Sequence, residues 1–388
     1  MQQPVGEQLA GMTAELCKTA DSTFQLEALL RPDLQDLEEY TPIVPTEVLS
    51  QKLGIPAGSL IKLDANENPY GPSPQVRQAL ATGDHYHIYP DPDHTLLREA
   101  IQSYVGLDRA HILCGNGSDE LLDLVMRLFI RPGDAVINCP PTFGMYAFDA
   151  GIHGARVVEV PRRGDFTLDV AGVEALFDGQ PGGERPKLLF VASPNNPDGG
   201  IISGHDLQRL LRLPLVVVVD EAYAEFSGES AAHLVPEHPN LIVLRTFSKW
   251  AGLAGLRVGY GLFPLQVIKH LWKIKQPYNV NVAAQVAVLA SLADVGYLRA
   301  NVERIVAERE RLYASLQAVQ YLRPYPSRSN FVLCRVMGRE ARELKQALER
   351  QGILVRYYRQ PGLRDCIRIS VGRPEQNRAL LAALRDFA

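Results

Sequence analysis

Between residues 135 and 263 the chain repeats one pattern, in which a short and almost uniformly apolar run precedes a helical or loop segment. The runs are Ala135–Cys139, Arg156–Val160, Leu188–Ala192, Leu215–Val219, Leu241–Leu244 and Tyr260–Phe263. Strands that are apolar on both sides need cover on both sides, and runs of this kind are typical of a parallel sheet between layers of helices. The pattern therefore predicts an α/β fold with a large domain built on a mostly parallel sheet.

Polar side chains follow three of these runs at the point where each run ends. They are Asn196 after the third run, Asp220 and Tyr223 after the fourth, and Lys249 after the fifth. The carboxyl ends of parallel strands meet at one edge of the sheet, where open α/β sheets bind ligands. We therefore expect these side chains to lie close together in a binding site.

Lys249 lies just past a strand that is expected to be buried. A partly desolvated lysine has a lowered pKa and can attack a carbonyl carbon to form a Schiff base with an aldehyde cofactor. The hydroxyls of Thr246 and Ser248 and the guanidinium of Arg257 would suit a phosphate. Most lysines that follow strands are solvated loop residues, so this stretch by itself leaves both interpretations open.

Asp220 ends a run of four valines, where an unpaired carboxylate would be costly to bury. Pyridoxal phosphate offers a cationic partner, because an aspartate holds its ring nitrogen protonated. Tyr223 and Asn196 could then hydrogen-bond the phenolic oxygen of that cofactor. The alternative is structural, since buried aspartates often cap turns and Asn-Pro-Asp-Gly is itself a good turn sequence.

A glycine turn at residues 115–117 precedes Ser118 and Asp119, which open an apolar-periodic helix. The free backbone N–H groups and the dipole at such a helix start form an anion site. A well-capped helix without a ligand would have the same sequence.

Composition excludes several classes of function. The net charge of −4 and the pI near 6.2, without charged blocks, argue against a nucleic-acid partner. No apolar run is long enough to span a membrane and the N-terminus lacks a signal pattern, so the cytoplasm is the expected location. The five cysteines include no CxxC pair, which indicates neither a zinc site nor a disulfide framework, and we expect no metal.

The pattern of predicted strands and helices changes past Tyr278. There, helical stretches alternate with three strand-like runs, which predicts a smaller α+β domain. We divide the chain into an N-terminal arm (1–35), a large cofactor-binding domain (36–280) and a small C-terminal domain (281–388). The segment 36–65 could instead pack on the small domain.

The motifs GNGSDE, PPTFGMY, SPNNPDG, DEAY, RTFSKWAGLAGLRVGY and IRISVG resemble, in this order, those of class I and II aminotransferases of fold type I. LDANENPYGPSP, YPD and PYNVN make the chain similar to the histidinol-phosphate aminotransferases within that family. The resemblance extends from about Tyr40 to the C-terminus. It implies a homodimer that binds pyridoxal 5'-phosphate and acts on a small amino donor and a 2-oxo acid.

The resemblance also implies a role for each candidate residue. Lys249 would carry the cofactor as an imine and move the proton at the substrate α-carbon, Asp220 would pair with the ring nitrogen, and Phe143 would stack on the ring. Tyr223 and Asn196 would bind the ring oxygen. The cofactor phosphate would be held by Ser118, Asp119, Thr246, Ser248, Arg257 and, from a second subunit, Tyr89. The substrate would meet Arg368 near its α-carbon, Asn66 in a covering loop, and Tyr40, Tyr278 and Arg356 at its distal phosphate.

The sequence departs from the family pattern at Asp198, where threonine is usual, and at Trp250, where a small residue is usual. We expect a negative charge and added bulk beside the site, with consequences for substrate preference alone. An aromatic amino acid aminotransferase remains the close alternative. A threonine-phosphate decarboxylase is less compatible with the Asn66–Pro69 loop, and a non-catalytic protein of the same fold is less compatible with an intact Lys249 and Asp220.

Overall fold

The computed structural model describes residues 26–35, 37, 44–178 and 185–387. The chain divides into two units, Met1–Glu39 and Tyr40–Ala388. The described part of the first unit contains a 3₁₀ turn at Leu26–Leu29 and a short helix at Pro32–Gln35, and neither has a buried residue.

Two sheets and thirteen α-helices make up the described part of the second unit. The helices span Thr46–Leu53, Pro74–Ala81, Thr95–Val105, Gly117–Phe129, Met145–Ile152, Val170–Ala175, Gly204–Leu211, Ala224–Ser227, Leu265–Ile274, Val282–Ala293, Val295–Gln317, Ala341–Arg350 and Pro374–Asp386.

The larger sheet has seven strands in the order β2-β8-β7-β6-β5-β3-β4. They are β2 (Ile112–Gly115), β3 (Ala135–Asn138), β4 (Arg156–Glu159), β5 (Leu188–Ala192), β6 (Val216–Asp220), β7 (Leu241–Thr246) and β8 (Gly259–Leu262). β3 to β7 are joined by parallel pairs, whereas β8 is antiparallel to both β2 and β7. The predicted α/β fold with a mostly parallel sheet is confirmed, and the sixth apolar run is the one that reverses direction.

The valines of β6 show why the strands of this sheet are apolar on both sides. Val217 and Val219 pack into one hydrophobic cluster, while Val218 packs into a second cluster on the opposite face. Alternate side chains of a strand point to opposite faces, so a strand covered by helices on both faces needs apolar residues at every position.

The smaller sheet has five strands in the order β1-β11-β12-β10-β9. They are β1 (Ile61–Leu63), β9 (Leu322–Pro324), β10 (Phe331–Val336), β11 (Ile353–Tyr357) and β12 (Cys366–Ser370). β1 pairs in parallel with β11, so residues ahead of the large sheet join strands from the C-terminal part of the chain. The predicted domain boundaries themselves stay a prediction.

Within the described ranges, no single helix is both long and apolar enough to cross a membrane. Val282–Ala293 and Val295–Gln317 meet that criterion only when counted together across an 81° bend. No cluster of metal-ligating side chains occurs among these residues either.

Candidate functional site

One pocket lies where the carboxyl ends of β5, β6 and β7 face residues of the smaller sheet. Its lining includes these predicted residues: Asn66, Ser118, Asp119, Phe143, Asn196, Asp220, Tyr223, Thr246, Ser248, Lys249, Arg257, Arg356 and Arg368. Parallel strands deliver side chains that are far apart in sequence to one edge, which is why these residues meet.

Lys249 follows β7 by three residues, and its amine points towards the loop that precedes Asn66. The Nζ atom donates a hydrogen bond to the Ala65 carbonyl oxygen at 3.3 Å and lies 5.9 Å from the centre of the Tyr223 ring. Burial, aided by the positive charge of Arg368, lowers the pKa of Lys249 to about 8. A larger share of this amine than of an ordinary lysine is therefore uncharged and nucleophilic near neutral pH.

Asp220 is the last residue of β6 and is 5% exposed. Its Oδ2 accepts a hydrogen bond from the Tyr146 hydroxyl at 2.7 Å, and its Oδ1 accepts one from the Ala222 backbone N–H at 3.0 Å. Burial raises the pKa of Asp220 to about 6, although the bond from Tyr146 acts in the opposite direction. A buried carboxylate with two neutral donors suits a ligand that brings a positive charge.

Tyr146 is a site residue that the sequence analysis missed. It lies on the helix Met145–Ile152, is fully buried, and its ring stacks on Phe190 at a centroid distance of 5.1 Å. The ring also meets Phe143 edge-on at 5.6 Å. The available signal was its place in the PPTFGMY motif, three positions after Phe143.

A chain of hydrogen bonds joins the covering loop to the smaller sheet. Asn66, at φ 55°, donates from Nδ2 to the Tyr223 hydroxyl at 3.0 Å and accepts from the Ser370 hydroxyl at 2.9 Å. Arg368 donates to Asn196 Oδ1 at 2.6 Å and to the Asp64 carbonyl oxygen at 2.7 Å. The Nε atom of Arg368 is buried without a hydrogen-bond partner among the described residues, so this N–H group can still donate.

Donors for an anion gather at the start of the helix Gly117–Phe129. Arg257 approaches this turn and donates from Nη2 to Asp119 Oδ2 at 2.7 Å. A Cβ atom on Gly117, whose φ is 81°, would lie 2.5 Å from that same nitrogen. The hydroxyls of Thr246 and Ser248 are 2.9 Å apart and line the same pocket. Helix N–H groups, hydroxyls and a guanidinium together form a cradle for a phosphate dianion.

The model of the family described as aminotransferase class I and II matches residues 59–384. The chain belongs to this family. A histidinol-phosphate aminotransferase of Roseiflexus castenholzii is 56% identical over 368 residues, which cover 93% of this chain and 98% of that protein. A chloroplastic histidinol-phosphate aminotransferase of Nicotiana plumbaginifolia is 51% identical and covers 93% of this chain and 87% of that protein.

A solved aminotransferase has a closely similar fold. The crystal structure of histidinol-phosphate aminotransferase from Sinorhizobium meliloti in complex with pyridoxal-5'-phosphate matches with a TM-score of 0.83 at 29% identity. The match covers 96% of this chain and 100% of the other. The expected family and its fold are therefore confirmed.

The polar groups that line the pocket of this aminotransferase fit pyridoxal phosphate. It combines a desolvated lysine, a buried carboxylate and an anion cradle in which Gly117 leaves room for Arg257. These are the groups that an aldehyde, a pyridine nitrogen and a phosphate require, respectively.

Two described candidate residues of the aminotransferase do not line this pocket. Tyr89 is 79% exposed and stacks on Tyr278 at a centroid distance of 4.7 Å, and neither residue lines the pocket of its own chain. Tyr278 is 43% exposed, and its predicted contact with the substrate stays a prediction. Tyr40 lies outside the described residues.

Neither of the two departures from the family pattern lines the pocket. Asp198 is buried and accepts hydrogen bonds from the Asn195 amide and, at 2.7 Å, from the Gly200 backbone N–H. Trp250 is buried in the core, stacks on Tyr104 at 5.0 Å and does not line the pocket. Asp198 thus accepts hydrogen bonds within its own turn and Trp250 packs in the core, and their effect on substrate preference stays a prediction.

Proposed function

We propose that the chain is a pyridoxal phosphate-dependent aminotransferase of histidine biosynthesis. It transfers the amino group of histidinol phosphate to 2-oxoglutarate and forms imidazole acetol phosphate and glutamate. The observation that carries the proposal is the position of Lys249 between Asp220, the anion cradle and Arg368 in one pocket. The names of the relatives support the choice of substrate.

Lys249 is the proposed base and nucleophile. When bound, pyridoxal phosphate supplies an aldehyde for the amine and a protonated ring that withdraws electrons from the substrate α-carbon. The Lys249 amine would take the proton from the substrate α-carbon and give it to the C4′ carbon of the cofactor, which a pKa near 8 allows at neutral pH. Asp220 holds the ring nitrogen protonated, and Tyr223 and Asn196 donate to the ring oxygen.

The remaining cofactor contacts are positional. Phe143 covers one ring face, where an aromatic side chain adds modest energy and fixes the plane. Ser118, Asp119, Thr246, Ser248 and Arg257 would anchor the phosphate at the helix start, and this anchor would hold the cofactor in the pocket independently of Lys249.

The substrate enters from the side of the smaller sheet. Arg368, whose Nη atoms bond Asn196 and the Asp64 carbonyl oxygen, binds near the α-carbon. Arg356 lines the same pocket and is proposed to bind the distal phosphate, since a dianion left without a cation in a closed site would be costly. Asn66 covers the substrate from the loop that precedes the helix Pro74–Ala81.

We further propose a homodimer in a cytoplasmic location. Tyr89 and Tyr278 present stacked, exposed rings outside their own pocket, which suits donation to the site of a second copy. Tyr40 stays a predicted substrate contact. The cytoplasmic location rests on the sequence alone, and chloroplastic relatives exist.

Spectroscopy and a substrate panel test this function. The purified protein should gain a visible absorption band with pyridoxal phosphate, and 2-oxoglutarate should be converted to glutamate fastest with histidinol phosphate, ahead of phenylalanine and aspartate. A preference for phenylalanine would favour the aromatic aminotransferase, and a protein without the band would not be a pyridoxal phosphate enzyme.

A further inference from the structure

Phe166 is a bulky residue in an unusual backbone conformation. Its φ is 67°, in the left-handed region that side chains other than those of glycine and asparagine rarely adopt. It lies in a turn after β4, in which Phe166 N–H donates to the Arg163 carbonyl oxygen at 2.8 Å and Arg163 N–H donates to the Thr167 carbonyl oxygen at 2.9 Å. Strained positions of this kind persist where the surroundings impose them, and they often serve a function.

The ring of Phe166 packs on residues of the smaller sheet although its turn belongs to the larger one. Phe166 is 6% exposed and forms a small cluster with Leu333, Leu363 and Cys366, against which Tyr325 and Tyr358 also pack. Its ring meets Tyr325 edge-on at a centroid distance of 4.8 Å. The strained turn at the edge of the large sheet therefore holds the Phe166 ring inside a cluster formed by residues of the small-sheet part of the chain.

This cluster lies directly behind one wall of the pocket. Arg356, Tyr358 and Gln360 line the pocket, and they lie at the end of β11 or in the connection from β11 to β12. Gln360 is exposed, whereas Leu363 is 1% exposed and its backbone N–H bonds to the Gln360 carbonyl oxygen at 3.2 Å. Tyr358 and Leu363 thus anchor both ends of an otherwise exposed segment, 358–363, and both pack in the Phe166 cluster.

We propose that Phe166 is a positioning residue that fixes the segment 358–363 and thereby shapes the pocket wall that receives the distal end of the substrate. The inference rests on the proposed function for the identity of that substrate. Lys249 follows β7 and the anion cradle is built at the start of the helix Gly117–Phe129, so neither belongs to the segment 358–363. A loss of the ring should therefore change substrate binding more than cofactor binding or chemistry.

The test compares Phe166→Ala with Phe177→Ala in the holoenzyme. Phe177 is 9% exposed, packs in the main core and does not line the pocket, so it controls for the loss of a buried ring. Hydrogen exchange of a peptide that covers 358–365 should be about fivefold faster or more in Phe166→Ala and unchanged in Phe177→Ala. The KM for histidinol phosphate should rise about tenfold in Phe166→Ala, while kcat and the KM for glutamate in the reverse half-reaction stay within about twofold. Phe166→Leu should restore most of both values.

Unchanged exchange in Phe166→Ala would overturn the inference, as would equal changes in Phe177→Ala. Faster exchange with no change in the KM for histidinol phosphate, or with an equal change for glutamate, would also overturn it. The exchange measurement needs no substrate, so unchanged exchange overturns the inference even if the proposed substrate is wrong. A wild-type protein that does not turn over histidinol phosphate would overturn the proposed function alone.

Discussion

The hydroxyl of Tyr146 donates a hydrogen bond to Asp220 Oδ2 at 2.7 Å, inside a core where both residues are almost fully buried. Burial and the neighbouring carboxylate raise the pKa of the Tyr146 phenol well above its ordinary value. The phenol therefore remains a donor throughout the working pH range, and its bond favours the charged form of Asp220. Through this contact, the helix Met145–Ile152 holds the Asp220 carboxylate in place at the end of β6 and favours its charged form.

Tyr146→Phe should weaken the binding of pyridoxal phosphate about tenfold, because a hydrogen bond to a charged group contributes roughly 1.5–3 kcal/mol and part of it is lost. The pKa of Asp220, now about 6, should rise, since the bond that lowers it is gone. Binding is lost as pH falls through that pKa, so the acid limb of a cofactor titration of the apoprotein should move to higher pH. Tyr321→Phe, which removes a buried bond to the Leu384 carbonyl oxygen outside the pocket, should leave the profile unchanged.

Lys249 should capture the cofactor with a rate that follows its own titration. With a pKa of about 8, the uncharged fraction of the amine rises roughly tenfold between pH 7 and pH 9 and little beyond. Stopped-flow absorbance of the apoprotein with pyridoxal phosphate measures this rate. A rise that continues towards pH 10.5 would mean an ordinary solvated lysine. Borohydride reduction and peptide mapping should then find the pyridoxyl group on Lys249, and a label on Lys273 or Lys275 would contradict the assignment.

Gly117→Ala should displace Arg257 from the anion cradle, since the new Cβ would lie 2.5 Å from Arg257 Nη2. Gly133→Ala is a matched control, because Gly133 has a φ of 90° and open space around its Cβ position. Both variants should lose about 1 kcal/mol of stability from backbone strain. Only Gly117→Ala should also lower the affinity for pyridoxal phosphate, by about tenfold, as read from the visible band. Equal affinities in the two variants would contradict the proposal that Arg257 helps to bind the cofactor phosphate.

Arg356→Ala should lower kcat/KM for histidinol phosphate by about ten- to a hundredfold, because an arginine–phosphate pair of good geometry contributes roughly 1.5–3 kcal/mol. Turnover of phenylalanine should change much less. Arg359→Ala, an exposed neighbour that does not line the pocket, is the control and should change neither. An equal loss for both substrates in Arg356→Ala would argue for the aromatic aminotransferase.

A shared site predicts that two inactive or impaired chains can complement each other. In a heterodimer of Tyr89→Phe and Lys249→Ala, one site has the intact lysine of the first chain and the intact tyrosine of the second. After mixing and exchange of subunits, glutamate formation should exceed the sum of the two separate preparations. Activity equal to that sum, or a fully active monomer in size-exclusion chromatography at assay concentration, would refute the shared site.

The strands of the large sheet and the grouping of Asn196, Asp220 and Lys249 were predictable from the sequence alone. Apolar patterning is local, and once parallel strands are inferred, the residues that follow them must meet at one edge. The proposed anion site was also predictable, because its signal is local in sequence. A glycine turn before the helix that carries Ser118 leaves the N–H groups of the first helical turn free wherever the helix lies. The roles of these residues in binding the cofactor stay predictions.

The remaining features depend on contacts between distant segments, which one sequence does not specify. The reversed direction of β8 follows from pairing with both β2 and β7, and the bond from Tyr146 to Asp220 joins residues 74 positions apart. Asp198 and Trp250 were expected to add charge and bulk beside the site, and neither lines the pocket. Side-chain direction was decided instead by the hydrogen bonds and apolar contacts available after folding, because a buried carboxylate needs donors and a large ring needs a core. The sequence by itself determined which strands of the large sheet form and where their polar ends meet, and only the tertiary structure decided which of those side chains line the pocket.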